Sequence, residues 1–249
     1  MGGRHPDPDR AIAYAMALVR AGADAIDVGA AASNPQAAVV DPAEEIRRLE
    51  PVVRELQRAG IAVSVDSFSP AVQRWALTRR VDLLNDTRGF PDVSVHTQLA
   101  ESCSRLIVMH AVQKRGRADR TPGDAETILE HVVRFFESRL AILAVAGVAR
   151  ERCILDPGMG LFLGTGAEPS IAVLRGLATL RDRFGLPVLV GVSRKSFVGT
   201  LSGRPIDERG PATLAAELYA ARQGADWIRT HDVRALRDAI AVQRALEGG

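Results

Sequence analysis

Cysteine is scarce, with two in 249 residues, aromatic side chains make up only 4%, and no apolar run approaches the ~18 residues of a membrane span. Each shortage excludes something. Cys103 and Cys153 lie far apart and match no metal-ligand or redox spacing, which predicts two reduced, buried thiols in a cytoplasmic protein. So few aromatics argue against stacked readout of single-stranded nucleic acid. Charge of one sign is also missing: 32 Lys+Arg against 30 Asp+Glu leave +2, no electrostatic footprint for DNA even at a pI near 8.8. The opening Met1-Gly-Gly-Arg-His-Pro has neither an apolar targeting core nor the Ser/Thr of a myristoylation site. The expectation is a soluble cytoplasmic protein with no nucleic-acid or membrane partner.

What is present is ordinary globular composition, 47% hydrophobic and 25% charged, on a chain long enough for a single domain over residues 1–249. Short β-branched runs predict strands at 23–30, 61–68, 81–86, 105–110, 153–158, 187–193 and 226–231. They are mostly continuous apolar stretches, as when both faces of a parallel sheet are covered. Between them lie amphipathic helices. Asp41-Pro42-Ala43-Glu44 reads as a capping box, its stripe runs Ile46, Leu49, Val53, Leu56, and Gly60 stops it. Pro51 falls inside that stripe and predicts a bend or break. Ser69-Pro70 and Pro211 open two more helices.

This march of about seven β/α units predicts a TIM (β/α)8 barrel with one unit to find. Because the chain opens on the helix start Pro6-Asp7-Pro8-Asp9, the first strand and its loop are expected to be the part missing. A doubly wound open sheet is the alternative, but the first strand–helix turn carries no G-x-G-x-x-G.

Polar residues collect at the strand C-terminal ends: Asp27, Asp66, Asn85-Asp86, Met109-His110, Asp156, Ser193-Arg194-Lys195, and Arg229 with His231. In a barrel these ends converge on one mouth. Carboxylates and an amide beside cations suit a ligand with a polar heterocycle at one end and an anionic leaving group at the other. Asp27 and Asp86 also fit a blander role as acceptors for loop amides. His96 and His131 sit in helical stretches as surface or core residues. The basic run Lys114-Arg115-Gly116-Arg117 with Arg120 is a solvated loop by default and a lid by position.

In order along the chain, Gly22-Ala-Asp-Ala-Ile-Asp-Val-Gly with Ser33-Asn34-Pro35, Leu83-Leu84-Asn85-Asp86, Ile107-Val108-Met109-His110, Leu155-Asp156-Pro157-Gly158, Ser193-Arg194-Lys195-Ser196-Phe197 and Arg229-Thr230-His231 resemble the dihydropteroate synthases of the pterin-binding superfamily. The resemblance implies a transferase joining dihydropterin-CH2-diphosphate to p-aminobenzoate. It further implies that Asp66, Asn85, Asp156 and Lys195 hold the pterin, with Met109 and Ser193 in the substrate site. Arg229 and His231 would face the diphosphate, joined by Lys195 in the catalytic group, and Ser33 would reach the phosphates or second substrate. Mg2+ is the implied cofactor and a homodimer the implied assembly. The family's Asn-x-Thr-x-Asp-Ser-Phe loop, with its Mg2+-binding Asn, has no counterpart here, Asn34 stands where an arginine is usual, and Ala30-Ala31 replace a Gly-Glu pair, so no metal ligand is assigned. The long loop after Gly158, with Leu161 and Phe162, resembles the Sul-type branch, which implies sulfonamide insensitivity through apolar bulk beside the p-aminobenzoate end. A pterin binder without catalysis and a methyl-folate methyltransferase are the competing readings.

Overall fold

The computed structural model describes residues 7–31, 40–112 and 123–248. The described residues divide into two compact units, one of 7–31, 40–109 and 137–154, the other of 110–112, 123–136 and 155–248.

The first unit alternates helix and strand in the expected order: α1 (Pro8–Arg20), β1 (Ile26–Val28), α2 (Pro42–Arg58), β2 (Val63–Asp66), α3 (Pro70–Thr78), β3 (Leu83–Asp86), α4 (His96–Glu101) and β4 (Arg105–Met109). α5 (Ile128–Val145) and β5 (Cys153–Asp156) each cross the boundary between units. The sheet runs β1-β2-β3-β4-β5 in sequence order, and its first three pairings are parallel. Val63, Val65, Leu84, Leu106 and Val108 are wholly buried, the covered-on-both-faces packing that the apolar runs imply.

α2 shows how local chemistry sets the elements. Asp41 Oδ1 accepts from Ala43 N at 2.9 Å, and Pro42 takes a position that needs no N–H partner. Glu44 meets Arg47 and Arg48 at 2.6 Å each, hydrogen bonds that pull its carboxyl down to about 2. Pro51 does not break the helix, so of the bend or break expected at this position the break is not made. Leu49, Val52, Val53 and Leu56 are buried on both sides of it, and that packing outweighs one lost backbone bond.

The second unit adds α6 (Glu168–Arg175), α7 (Leu177–Phe184), β6 (Leu189–Val190), α8 (Ser196–Ser202), α9 (Gly210–Arg222), β7 (Trp227–Ile228) and α10 (Val233–Glu247). Leu155 bridges Val188, and β6 pairs with β7, again parallel. Phe136 packs edge-on to Phe135 at 5.4 Å and Phe184 at 5.7 Å. All seven predicted strands are present and shorter than expected. No described helix is long and apolar enough to cross a membrane.

Cys153 is buried, which lifts its thiol to about 11, but Cys103 is exposed, correcting the expectation of two buried thiols. The reason is local: Cys103 sits in the turn between α4 and β4, where its neighbour Ser104 is the residue drawn in, donating to Val81 O at 2.6 Å.

Candidate functional site

In the first unit, strand register decides which polar residues share a surface. Asp27 pairs with Ser64, and Asp66 with Asn85, while Asn85 also pairs with Ile107. Side chains alternate along a strand, so Asp27, Ser64, Asp66, Asn85 and Met109 lie on one face. Ser64 Oγ donates to Asp27 Oδ1 at 2.6 Å, so Asp27 belongs to this polar face rather than to a turn. Asn85 is wholly buried, and neither its Oδ1 nor its Nδ2 has a hydrogen-bond partner. An amide left so costs about 1–3 kcal/mol per unmet group, which marks it as a group awaiting a ligand.

Asp86 points the other way and behaves as the blander expectation has it. Its carboxylate accepts from Arg88 N at 2.8 Å, Phe90 N at 3.0 Å and Gln73 Nε2 at 2.8 Å, though burial still raises its pKa. His96 likewise is a core residue, buried with Nε2 3.0 Å from Phe90 O; a carbonyl only accepts, so Nε2 carries the proton. His131 is exposed on α5.

In the second unit the same alternation gathers Asp156, Gly191, Ser193, Arg229 and His231. Arg229 Nη2 reaches Asp156 Oδ2 at 2.9 Å, and Gly158 N donates to Oδ1 at 2.9 Å. The carboxylate is 2% exposed and already carries a cation. Each oxygen keeps a further lone pair for a ligand. Gly191 leaves room for the pair: a Cβ there would sit 3.1 Å from Arg229 Nε and press on the guanidinium. Sequence reasoning passed over it, although a glycine inside a strand pattern is the signal for close approach.

His231 Nδ1 lies 2.8 Å from Ser193 Oγ, and the His231 backbone N donates to the same oxygen at 3.3 Å. Lys195 Nζ sits 4.9 Å above the Phe162 ring, and Phe162 itself is 5% exposed, so the phenyl braces the ammonium. Leu161, beside it on the short turn Gly160–Phe162, is half-buried. Gly158, at φ +77°, cannot be replaced cheaply, since a Cβ would run into His110 O. His110 is buried with Nδ1 3.2 Å from Pro157 O, and burial takes its pKa down to about 4. That ring is neutral at physiological pH.

Ser33, Asn34 and the Lys114–Arg120 run lie outside the described residues. Among the described residues no three His, Cys, Asp or Glu side chains are grouped to hold a metal ion.

Comparison with known proteins gives one consistent result. The family described as "Pterin binding enzyme" matches residues 1–231. A "Dihydropteroate synthase type-2" of Escherichia coli is 53% identical over 246 residues, 99% of this chain and 90% of that protein. Among solved structures, Xanthomonas albilineans dihydropteroate synthase with 4-aminobenzoic acid superposes with a TM-score of 0.87 at 32% identity, covering 99% of this chain and 88% of that one. The same organism's enzyme in complex with 7,8-dihydropteroate gives 0.84 at 30%, with 99% and 90% covered.

Proposed function

The chain belongs to the pterin-binding enzyme family, and from that premise we propose how its residues carry out the synthase reaction. Its fold class is the TIM barrel of the matched structures, and its activity is that of a transferase, dihydropteroate synthase. The substrates are a dihydropterin carrying a CH2-diphosphate and p-aminobenzoate. The binder-only and methyltransferase readings draw no support from these relatives. A single family match running across both units supports treating 1–249 as one pterin-binding domain.

Asn85 carries the assignment of the pterin. Its orphaned amide offers one acceptor and one donor, the complement of a pterin edge, beside the Asp66 carboxylate in register with it. By resemblance alone, Asp156 and Lys195 of the second unit are assigned to the pterin as well: Asp156 has lone pairs that can accept N–H groups, and Lys195, held over Phe162, offers a donor for the ring oxygen. Met109 and Ser193 line the substrate. The aromatic amine is neutral and nucleophilic, so the reaction needs no general base. Its nitrogen forms the new N–C bond at the methylene carbon as the C–O bond breaks, the electron pair leaves with the diphosphate, and the amine proton passes to solvent. Arg229 and His231 stabilise that departing charge, which is the costly part of the step. Ser33 is assigned to the same phosphates by resemblance alone.

The described donor set does not form a Mg2+ cage, so we assign Mg2+ to the diphosphate itself as its counter-ion and derive no step from it. The exposed apolar residues Tyr219 of α9 and Val242 and Leu246 of α10 support a homodimer. The two unpaired cysteines support a cytoplasmic location. Leu161 and Phe162, next to Lys195, support sulfonamide insensitivity: their bulk tolerates a planar carboxylate and rejects a tetrahedral sulfonyl with a further ring.

The test is conversion of the two substrates to dihydropteroate and pyrophosphate by the purified chain, with pterin affinity measured by calorimetry for Asn85→Leu. Turnover with pterin affinity about tenfold weaker in the variant is expected. Unchanged pterin affinity in a folded Asn85→Leu protein overturns the assignment. Insensitivity to sulfamethoxazole in the parent, lost in Phe162→Gly or Leu161→Gly, tests the steric argument separately.

A further inference from the structure

Two loops of the second unit carry the cations assigned to the diphosphate, and one helix holds both from behind. The side chains that α9 buries are Thr213, Glu217 and Ala220, spaced four and three residues apart and so on one stripe. Thr213 Oγ1 accepts from Arg194 N at 3.2 Å, gripping the Ser193–Lys195 loop between its two site residues. One turn on, the Glu217 carboxylate accepts from the Thr230 hydroxyl, midway between Arg229 and His231. Side-chain alternation turns Thr230 toward α9 while Arg229 and His231 face the substrate side. The two loops are joined directly by the 2.8 Å contact of His231 with Ser193.

Glu217 is 2% exposed, and its Oε1 has no partner. A buried carboxyl is a costly way to fill a helix–strand contact that alanine or leucine would fill, so its hydrogen bond is the reason to keep it. The first unit repeats the device. Glu45 of α2 is 3% exposed, has an unpartnered Oε1, and bonds Ser67, the residue after Asp66.

We propose that Glu217, with Thr213, is a positioning residue for the synthase reaction, fixing through Thr230 the aim of Arg229 and His231 at the departing diphosphate. The inference rests on the diphosphate assignment made above. The surroundings of Glu217 are sparsely charged. α8 carries no ionisable side chain, and β7 leads to Thr230 with Arg229 and His231 on the opposite face. At the head of α10 stands Asp232, whose negative charge Glu217 feels, while Arg234, Arg237 and Asp238 lie on that helix's exposed side. Burial lifts the Glu217 carboxyl to about 7, the Thr230 bond opposing and Asp232 adding to the rise. Near neutrality it therefore gains a negative charge directly behind an anion site.

The experiment measures affinity for inorganic pyrophosphate and for 6-hydroxymethylpterin, which lacks phosphate, in the parent and in Glu217→Gln between about pH 6 and pH 8. NMR follows the Thr230 amide shift over the same range, a readout that needs no ligand. Relative to Glu217→Gln, the parent should lose pyrophosphate affinity on the order of fivefold as pH rises, with pterin affinity unmoved. The parent Thr230 amide should titrate with a midpoint near 7 and be flat in Glu217→Gln. Glu217→Ala should weaken pyrophosphate at every pH, and glutamine should restore it at the acid end. A parent-to-Gln ratio that is constant with pH, with a flat Thr230 amide in both, overturns the proposal. A parent whose Thr230 amide titrates but which binds no pyrophosphate overturns the diphosphate assignment instead, and the positioning role with it.

Discussion

Two buried groups of the second unit should tilt stability against pH in opposite directions and nearly cancel. Burial raises the Glu217 carboxyl from 4.5 to about 7, so between those values the folded chain holds a proton that the unfolded chain has released. Its contribution is therefore full below pH 4.5 and is lost as pH rises through 7. Burial lowers His110 from 6.5 to about 4, so here the unfolded chain binds the extra proton, and stability is full above 6.5 and lost as pH falls toward 4. At roughly 1.4 kcal/mol per pH unit, each excursion is worth about 3 kcal/mol. The parent curve should be nearly level across this window as far as these two groups are concerned. Urea unfolding of parent, Glu217→Gln and His110→Asn at half-unit steps from about pH 4.5 to pH 7.5 checks it. Asparagine keeps a donor near the place of Nδ1, and only slopes are compared, so a uniform loss of stability in either variant does no harm. Relative to the parent, Glu217→Gln should gain stability with rising pH by about 3 kcal/mol, and His110→Asn should lose it by a similar amount. Variant curves running parallel to the parent across the window would refute the reasoning.

The Asp156–Arg229 pair should show a coupling of about 1.5–3 kcal/mol in an unfolding double-mutant cycle of Asp156→Asn and Arg229→Met, because one partner is almost fully desolvated; near-additive losses would mean the contact contributes nothing. Gly191→Ala should keep the fold within about 1 kcal/mol, since the atoms it crowds belong to a flexible guanidinium. The same variant should weaken pyrophosphate binding about tenfold by displacing Arg229, and unchanged binding would remove Gly191 from the site's construction. A thiol reagent should modify Cys103 within minutes in the native state and Cys153 only on unfolding, as exposure and the Cys153 pKa of about 11 require.

Much of the fold was legible because the signals were local. Continuous apolar runs bounded by Gly and Pro placed all seven strands, and Asp41-Pro42 and Pro211 marked helix starts that the structure keeps. Pro51 pointed to a break that is not made, because a proline's local cost is small beside four buried neighbours on the α2 stripe, a sum no window of sequence displays. Cys103 misled for a similar reason: exposure in a turn depends on which neighbour the turn draws inward.

The candidate site divides along the same line. Residue type and position at strand ends were enough to select Asp66, Asn85, Asp156, Ser193, Lys195, Arg229 and His231, since a polar group closing an apolar run needs a reason to be there. Sequence also sufficed for the alternation that puts Arg229 and His231 on one side and Thr230 on the other. Which groups are already satisfied was decided only by the tertiary structure. Asp156 proved to be paired across 73 residues of chain, Asn85 to be orphaned at both ends of its amide, and Glu217 to be bonded to a strand end from inside a helix. Those outcomes depend on strand register and on a missing Cβ at Gly191, and so on distances between residues remote in sequence. Composition and spacing determine which residues can do chemistry; burial and pairing, which decide their charge and their need for a ligand, arise only when the chain is packed.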